Sequence, residues 1–309
     1  MTAVVRSKMV VRTALPALLL CLVSVAGAGV RTHPRHHHHR RLVSHEVTVT
    51  PSQTIEARVE SEIARGEDVL DRLGPDNLFD SPYLVSAIVY HDGFLSHFPK
   101  DKATADPSRR IIAHLTALVT PAVKQQYIEL LRQRSGADAM AAGLVQPVKG
   151  FIDTPRRLRR NHHDALDVFA PEGAPVRAAS GGLVVLADKG WEHGDPFAVT
   201  SLRGGNSVVV FNPTANRFYR YCHLSAVTVQ PGDVLAAGQT IGAVGHTGFN
   251  AERRGHGEHL HFEVNQYDGR NVRALDYRQL LALLHDAAPA PAADPENVLA
   301  AFPLLPIMP

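Results

Sequence analysis

Apolar positions follow helical spacing in the first half of the chain and strand spacing in the second. Ile55, Val59 and Ile63 recur four residues apart, as on one face of a helix. Asp106-Pro107 and Thr120-Pro121 each place a capping side chain before a proline suited to a first helical turn. Ile111, Leu115 and Leu118 follow the first pair, and Val123, Tyr127, Leu130 and Leu131 follow the second, with Gly136 as a stop. A helical region over residues 51–140 is predicted. His91, His97 and His114 lie in it without ligand spacing and are expected at the surface or in packing.

From about residue 146 glycines become frequent and β-branched runs appear. Gly182–Leu186, Ser207–Phe211 and Arg217–Tyr221 read as strands. Pro171-Glu172-Gly173, Gly204-Gly205-Asn206, Asn212-Pro213 and Pro231-Gly232-Asp233 read as the turns between them. Leu280, Leu281, Leu283 and Leu284 suggest a short closing helix, and an Ala/Pro-rich tail follows. The expected fold class is α+β: a helical region, then an all-β, barrel-like or sandwich antiparallel domain at 146–275, then a short helix and tail at 276–309.

The start of the chain has a different character. Arg6, Lys8 and Arg12 precede an apolar run from Ala14 to Ala28 that ends in Ala26-Gly27-Ala28. Residues 1–28 therefore read as a signal peptide, with an uncleaved anchor as the alternative, and the bulk of the chain is expected to be exported to the periplasm or cell envelope, or secreted. Residues 29–50 form a linker rich in histidine and arginine, including His36 to His39. It is either a metal-gathering or anion-binding arm or a solvated basic tether. The 309 residues are 45% hydrophobic and 20% charged with net charge +2, so nothing global calls for nucleic acid. Cys21 falls in the apolar leader, which leaves Cys222 alone in an exported chain and excludes an internal disulfide.

Chemistry concentrates in three segments: His162-His163-Asp164-Ala165-Leu166-Asp167, Tyr221-Cys222-His223-Leu224 and Gly257-Glu258-His259-Leu260-His261-Phe262-Glu263. Two imidazoles and one carboxylate leave zinc an open fourth position for water. In a strand, His259, His261 and Glu263 share one face while Leu260 and Phe262 turn to the core. Buried imidazoles require partners, and a metal beside a substrate cleft supplies them. His163 and Asp167 stand four apart and share a face whether the backbone is extended or helical, which selects them as ligands over His162 and Asp164. Alternation places His223 with Tyr221 and puts Cys222 on the other side, as a small buried hydrophobe and not the nucleophile of a Cys–His dyad.

The stretch from Ala165 to Val264 resembles the LytM/lysostaphin-type zinc metallopeptidases, bacterial peptidoglycan endopeptidases. The shared pieces are His163-x-x-x-Asp167, Ala170–Ala178, Gly181–Val184, Tyr221–Leu224, Val229–Asp233, Ala237–Gly242, Gly245–Gly248 and Gly257–Glu263. The resemblance implies that His163, Asp167 and His261 bind one Zn2+ per chain and that His223 and His259 are catalytic. It implies stem or cross-bridge peptides of peptidoglycan as substrate. Ala165 departs from the glycine usual there, so its backbone must avoid positive φ. Asp188 to Gly205, with Trp191 and His193, reads as an insertion that shapes the cleft. Asn206 and Asn250 are candidate substrate contacts or turn residues, and Arg156, Arg157, Arg159 and Arg160 are a candidate anion-attracting run. Two other readings compete: a non-catalytic factor of this fold that activates another wall hydrolase, and a His-rich exported metal-binding protein. The helical region is a candidate inhibitory or targeting module.

Overall fold

The computed structural model describes residues 54–97, 106–136, 144–152, 164–193, 195–199 and 203–289. His163, the leader, the His36–His39 run, the four arginines at 156–160 and the Ala/Pro tail lie outside the described residues.

The helices form where capping and burial agree. Helix α1 spans Ile55–Asp71, α2 Pro82–Val89, α3 Pro107–Leu118 and α4 Pro121–Ser135. The Asp106 and Thr120 side chains accept from backbone N–H groups of the first turns of α3 and α4, and Gly136 ends α4 at φ +69°. The Ile55 end of the predicted stripe is exposed, whereas Val59 is fully buried. Among the described residues no helix is long and apolar enough to cross a membrane.

Among the described residues eleven strands follow in the order β1 Phe151–Ile152, β2 Leu166–Phe169, β3 Pro175–Arg177, β4 Gly182–Asp188, β5 Ser207–Asn212, β6 Arg217–Cys222, β7 Leu224–Val227, β8 Val234–Leu235, β9 Thr240–Val244, β10 His259–Tyr267 and β11 Val272–Ala274. Eight make one antiparallel sheet, ordered β1-β2-β10-β6-β5-β4-β8 with β11 also on β10. The other three form a small sheet ordered β3-β9-β7. Helix α5, Tyr277–His285, closes the chain with a capping box between Asp276 and Gln279. The large sheet stays open, so the arrangement is sandwich-like and the barrel-like alternative does not hold.

Both faces of the large sheet are covered. Leu260, Phe262, Val264, Tyr219 and Tyr221 pack with Val176, Ile241 and Val244 of the small sheet and Leu280 and Leu284 of α5. On the other face Val209, Phe211, Phe218 and Tyr267 share a core with Leu84, Ile88, Ile112, Leu115 and Tyr127 of the helices. Each such side chain contributes about 1.5–3 kcal/mol on burial. A bulge between Val184 and Leu186 lets Val185 and Leu186 both turn toward the helices. The chemistry-bearing residues gather at the His259 end of β10.

Candidate metal and catalytic site

Strand register assembles the site. His261 of β10 pairs across the ladder with Asp167 of β2 on one side and with Cys222 of β6 on the other. Directly opposite residues point the same way, so the Asp167 carboxylate and the His261 ring meet, with Nδ1 2.8 Å from Oδ1. The His259 Nε2 stands 3.8 Å from the same carboxylate oxygen. Leu260 and Phe262 are fully buried on the opposite face, as alternation predicts.

His223 arrives by another route. The chain leaves the large sheet at Cys222 and enters the small one at Leu224, and His223 makes the corner at φ +65°. A left-handed non-glycine costs about 1–3 kcal/mol and persists only where its surroundings enforce it. Here the Gly204 carbonyl accepts the His223 N–H at 2.8 Å and the Asn206 carbonyl accepts the Leu224 N–H at 3.1 Å. The corner breaks the alternation expected from sequence. Tyr221 belongs to the opposite core, where its hydroxyl accepts the Ala179 N–H, while the His223 ring comes within 4.7 Å of His259 and 5.5 Å of His261. Cys222 is buried as expected, but the register sets it opposite His261 and so on that ring's side of the sheet; its thiol is pushed up to about 12 chiefly by burial.

Hydrogen bonds fix the ring tautomers. His223 Nδ1–H donates to the Thr247 carbonyl at 2.7 Å and His259 Nδ1–H to the Gly257 carbonyl at 3.0 Å. Each assignment leaves the lone pair on Nε2. Burial lowers both pKa values; His261 and His259 add to the effect at His223, and Asp167 partly offsets it at His259. Both rings are neutral at neutral pH and able to accept a proton. His261 behaves oppositely: burial pulls its pKa down, but hydrogen bonds to Asp167 and Glu263 prevail and lift it to about 10.

Asp167 Oδ1 and His261 Nδ1 fit as donors to a divalent cation. Both are nearly buried, and their facing atoms converge on one spot. Zinc ligands at about 2.0–2.1 Å on a tetrahedral ion stand about 3.3 Å apart, so a small opening of the pair admits one. The far nitrogen of His261 lies 2.8 Å from Glu263 Oε1, the carboxylate partner that orients a ligating imidazole. A second group, Glu172, His246 and Glu258, brings its ligand atoms within 4.8 Å of one another, but all three residues are exposed.

The remaining candidates divide. Asn206 is a loop residue: its Oδ1 accepts the Trp191 N–H at 2.8 Å and its Nδ2 donates to the Leu224 carbonyl at 3.0 Å. Trp191 and His193 both bind Glu252, tying the insertion to the 249–256 loop. Ala165 is buried and not at positive φ, so its methyl is accommodated. His91 departs from a simple packing role, since its Nε2 lies 3.3 Å from Asp164. The sequence reading missed Arg220, which grips Glu263 through Nη1 at 2.9 and 2.8 Å. Its place opposite Glu263 on a neighbouring strand was the available signal.

Residues 161–274 match the model for peptidase family M23. They are an M23 peptidase domain. Outside it the described chain adds helices α1–α4, strand β1 and helix α5. The chain is similar to the glycyl-glycine endopeptidase ALE-1 of Staphylococcus capitis, 36% identical over 37% of this chain and 27% of that protein. Lysostaphin of Staphylococcus simulans is 34% identical over 40% of this chain and 22% of its own length. The peptidoglycan DD-endopeptidase ShyA of Vibrio cholerae is 35% identical over 39% of this chain and 25% of its own length. The chain spans about a quarter of the length of these relatives.

Proposed function

We propose that the chain is an exported zinc metalloendopeptidase that hydrolyses peptide cross-links of peptidoglycan. One observation carries this reading: inside an M23 domain, the facing donors of Asp167 and His261 lie beside two neutral imidazoles whose Nε2 atoms carry the lone pair. His163, outside the described residues, completes the ligand set in this reading. Bound zinc supplies an acidified water and polarises the scissile carbonyl.

The chain's own residues do the rest. Asp167 and His261 would hold the cation, which displaces the Nδ1 proton of His261, while Glu263 goes on accepting from Nε2. His223 and His259 stand on the open side. One takes the proton of the attacking water at Nε2 and returns it to the leaving amine, while the other, its lone pair also on Nε2, accepts a hydrogen bond from that water and orients it. The names of the relatives support peptidoglycan peptides as the substrate class, and the basic, apolar leader supports export.

The test is zinc content and peptidoglycan hydrolysis of the full chain beside His261→Ala and His259→Ala. One zinc per chain with activity, metal lost in the first variant, and metal kept but activity lost in the second support the reading. Bound zinc without hydrolysis on several wall types would instead favour a non-catalytic factor.

A further inference from the structure

Tyr90 and Phe94 flank the corner that follows α2. Their rings lie 4.3 Å apart, and both are buried. The Arg220 guanidinium sits over them, 4.9 Å from the Tyr90 ring centroid and 5.6 Å from that of Phe94. Aromatic faces attract a cation, and most strongly where water is excluded. Arg220 is only 3% exposed. Burying a guanidinium is costly unless its geometry and partners are good, and here it meets both oxygens of Glu263 as well as the two rings. Glu263 in turn faces His261 Nε2 at 2.8 Å. A continuous series of contacts therefore runs from the helical region to the imidazole that faces Asp167.

The same corner reaches the other arm of the site. His91, between the two aromatic residues, lies 3.3 Å from Asp164 and packs edge-on against Phe94 at 5.9 Å. Asp164 adjoins His163 in sequence and precedes Asp167 by three residues. The backbone of the corner is pinned as well: Asp92 N–H donates to the Val272 carbonyl at 3.0 Å, and its carboxylate pairs with Lys124 of α4.

We propose that residues 90–94 are a brace for the metal centre. Tyr90 and Phe94 hold Arg220, and through it Glu263 and the ring of His261; His91 holds the Asp164 loop. These are positioning residues, and they make the helical region part of the metal site. The proposal rests on the reading of Asp167 and His261 as metal ligands. Partners behind a ligating histidine typically change metal affinity by about 10–100-fold.

The test measures zinc affinity of the full-length chain by competition with a chromophoric chelator, below the unfolding temperature of every variant. Tyr90→Leu/Phe94→Leu keeps apolar volume but removes both rings, and should bind zinc about 10-fold more weakly. Tyr90→Phe keeps the ring and should bind as the unaltered chain does. Ile88→Val loosens the same core while keeping both rings, and should lower the melting temperature without changing zinc affinity. Should the double variant not fold, Phe94→Leu alone reads the same contact. Unchanged affinity in the ring-deleted variants, or equal weakening by Ile88→Val, overturns the brace. Absence of stoichiometric zinc in the unaltered chain instead sinks the metal-site reading, which separates the two failures.

Discussion

His223 donates its Nδ1–H to the carbonyl oxygen of Thr247, 2.7 Å away and 24 residues along the chain. Thr247 thereby sets the tautomer of His223. Replacing His223 by alanine should lower turnover by about 10²–10⁴-fold, the range for loss of a general acid or base, and leave zinc content unchanged. His259→Ala should do the same. Turnover and metal analysis on one preparation would check both, and loss of metal from either variant would contradict the assigned roles.

Asp167→Asn and His261→Ala remove the facing donors and should abolish stoichiometric zinc binding. Chelation of the unaltered chain should stop hydrolysis, and added zinc should restore it. Atomic absorption with a peptidoglycan assay tests this. Full activity after verified removal of the metal would refute it.

Thr247 is itself held by a crossing of two glycine turns. Gly205 has φ +58°, and a Cβ there would lie 2.3 Å from the Thr247 carbonyl carbon. Gly205→Ala should therefore cost at least about 1 kcal/mol in stability, from the left-handed backbone alone, and should displace the Thr247 carbonyl. Calorimetry beside kinetics should show a lower melting temperature and lower turnover with zinc retained.

Burial raises the Cys222 thiol to about 12. It should resist iodoacetamide at pH 8 until the chain unfolds. The sign of the pH effect follows: the unfolded thiol ionises near pH 8.5 while the folded one stays protonated. This stabilising difference is whole below about pH 8.5 and declines by up to about 1.4 kcal/mol per pH unit above it. Denaturant melts from pH 8 to 10 should show a shallower decline in Cys222→Ala.

Much of this was legible in the residues. Asp106-Pro107 and Thr120-Pro121 announced two helices, and the alternation through His259-Leu260-His261-Phe262-Glu263 separated core from cleft. The His223 corner was hidden, because alternation holds only while a strand continues and nothing local marks a histidine for positive φ. The Arg220 contacts were hidden for another reason. Arg220 and Glu263 meet through the pairing of β6 with β10, and only the packing of helices on the sheet brings Tyr90 to them. Asn206 read as a substrate contact or a turn residue; its two backbone hydrogen bonds make it the latter.

Strand β10 runs from the histidines at one end to Tyr267, locked in the helical core, at the other. The imidazoles thus stand on a floor that is made when the chain folds. In the proposed reaction their dipoles are preorganised before any peptide arrives, and little reorientation is left for the chemical step. Substrate choice can then drift through the loops around Trp191 and Glu252 while the reacting groups keep their aim.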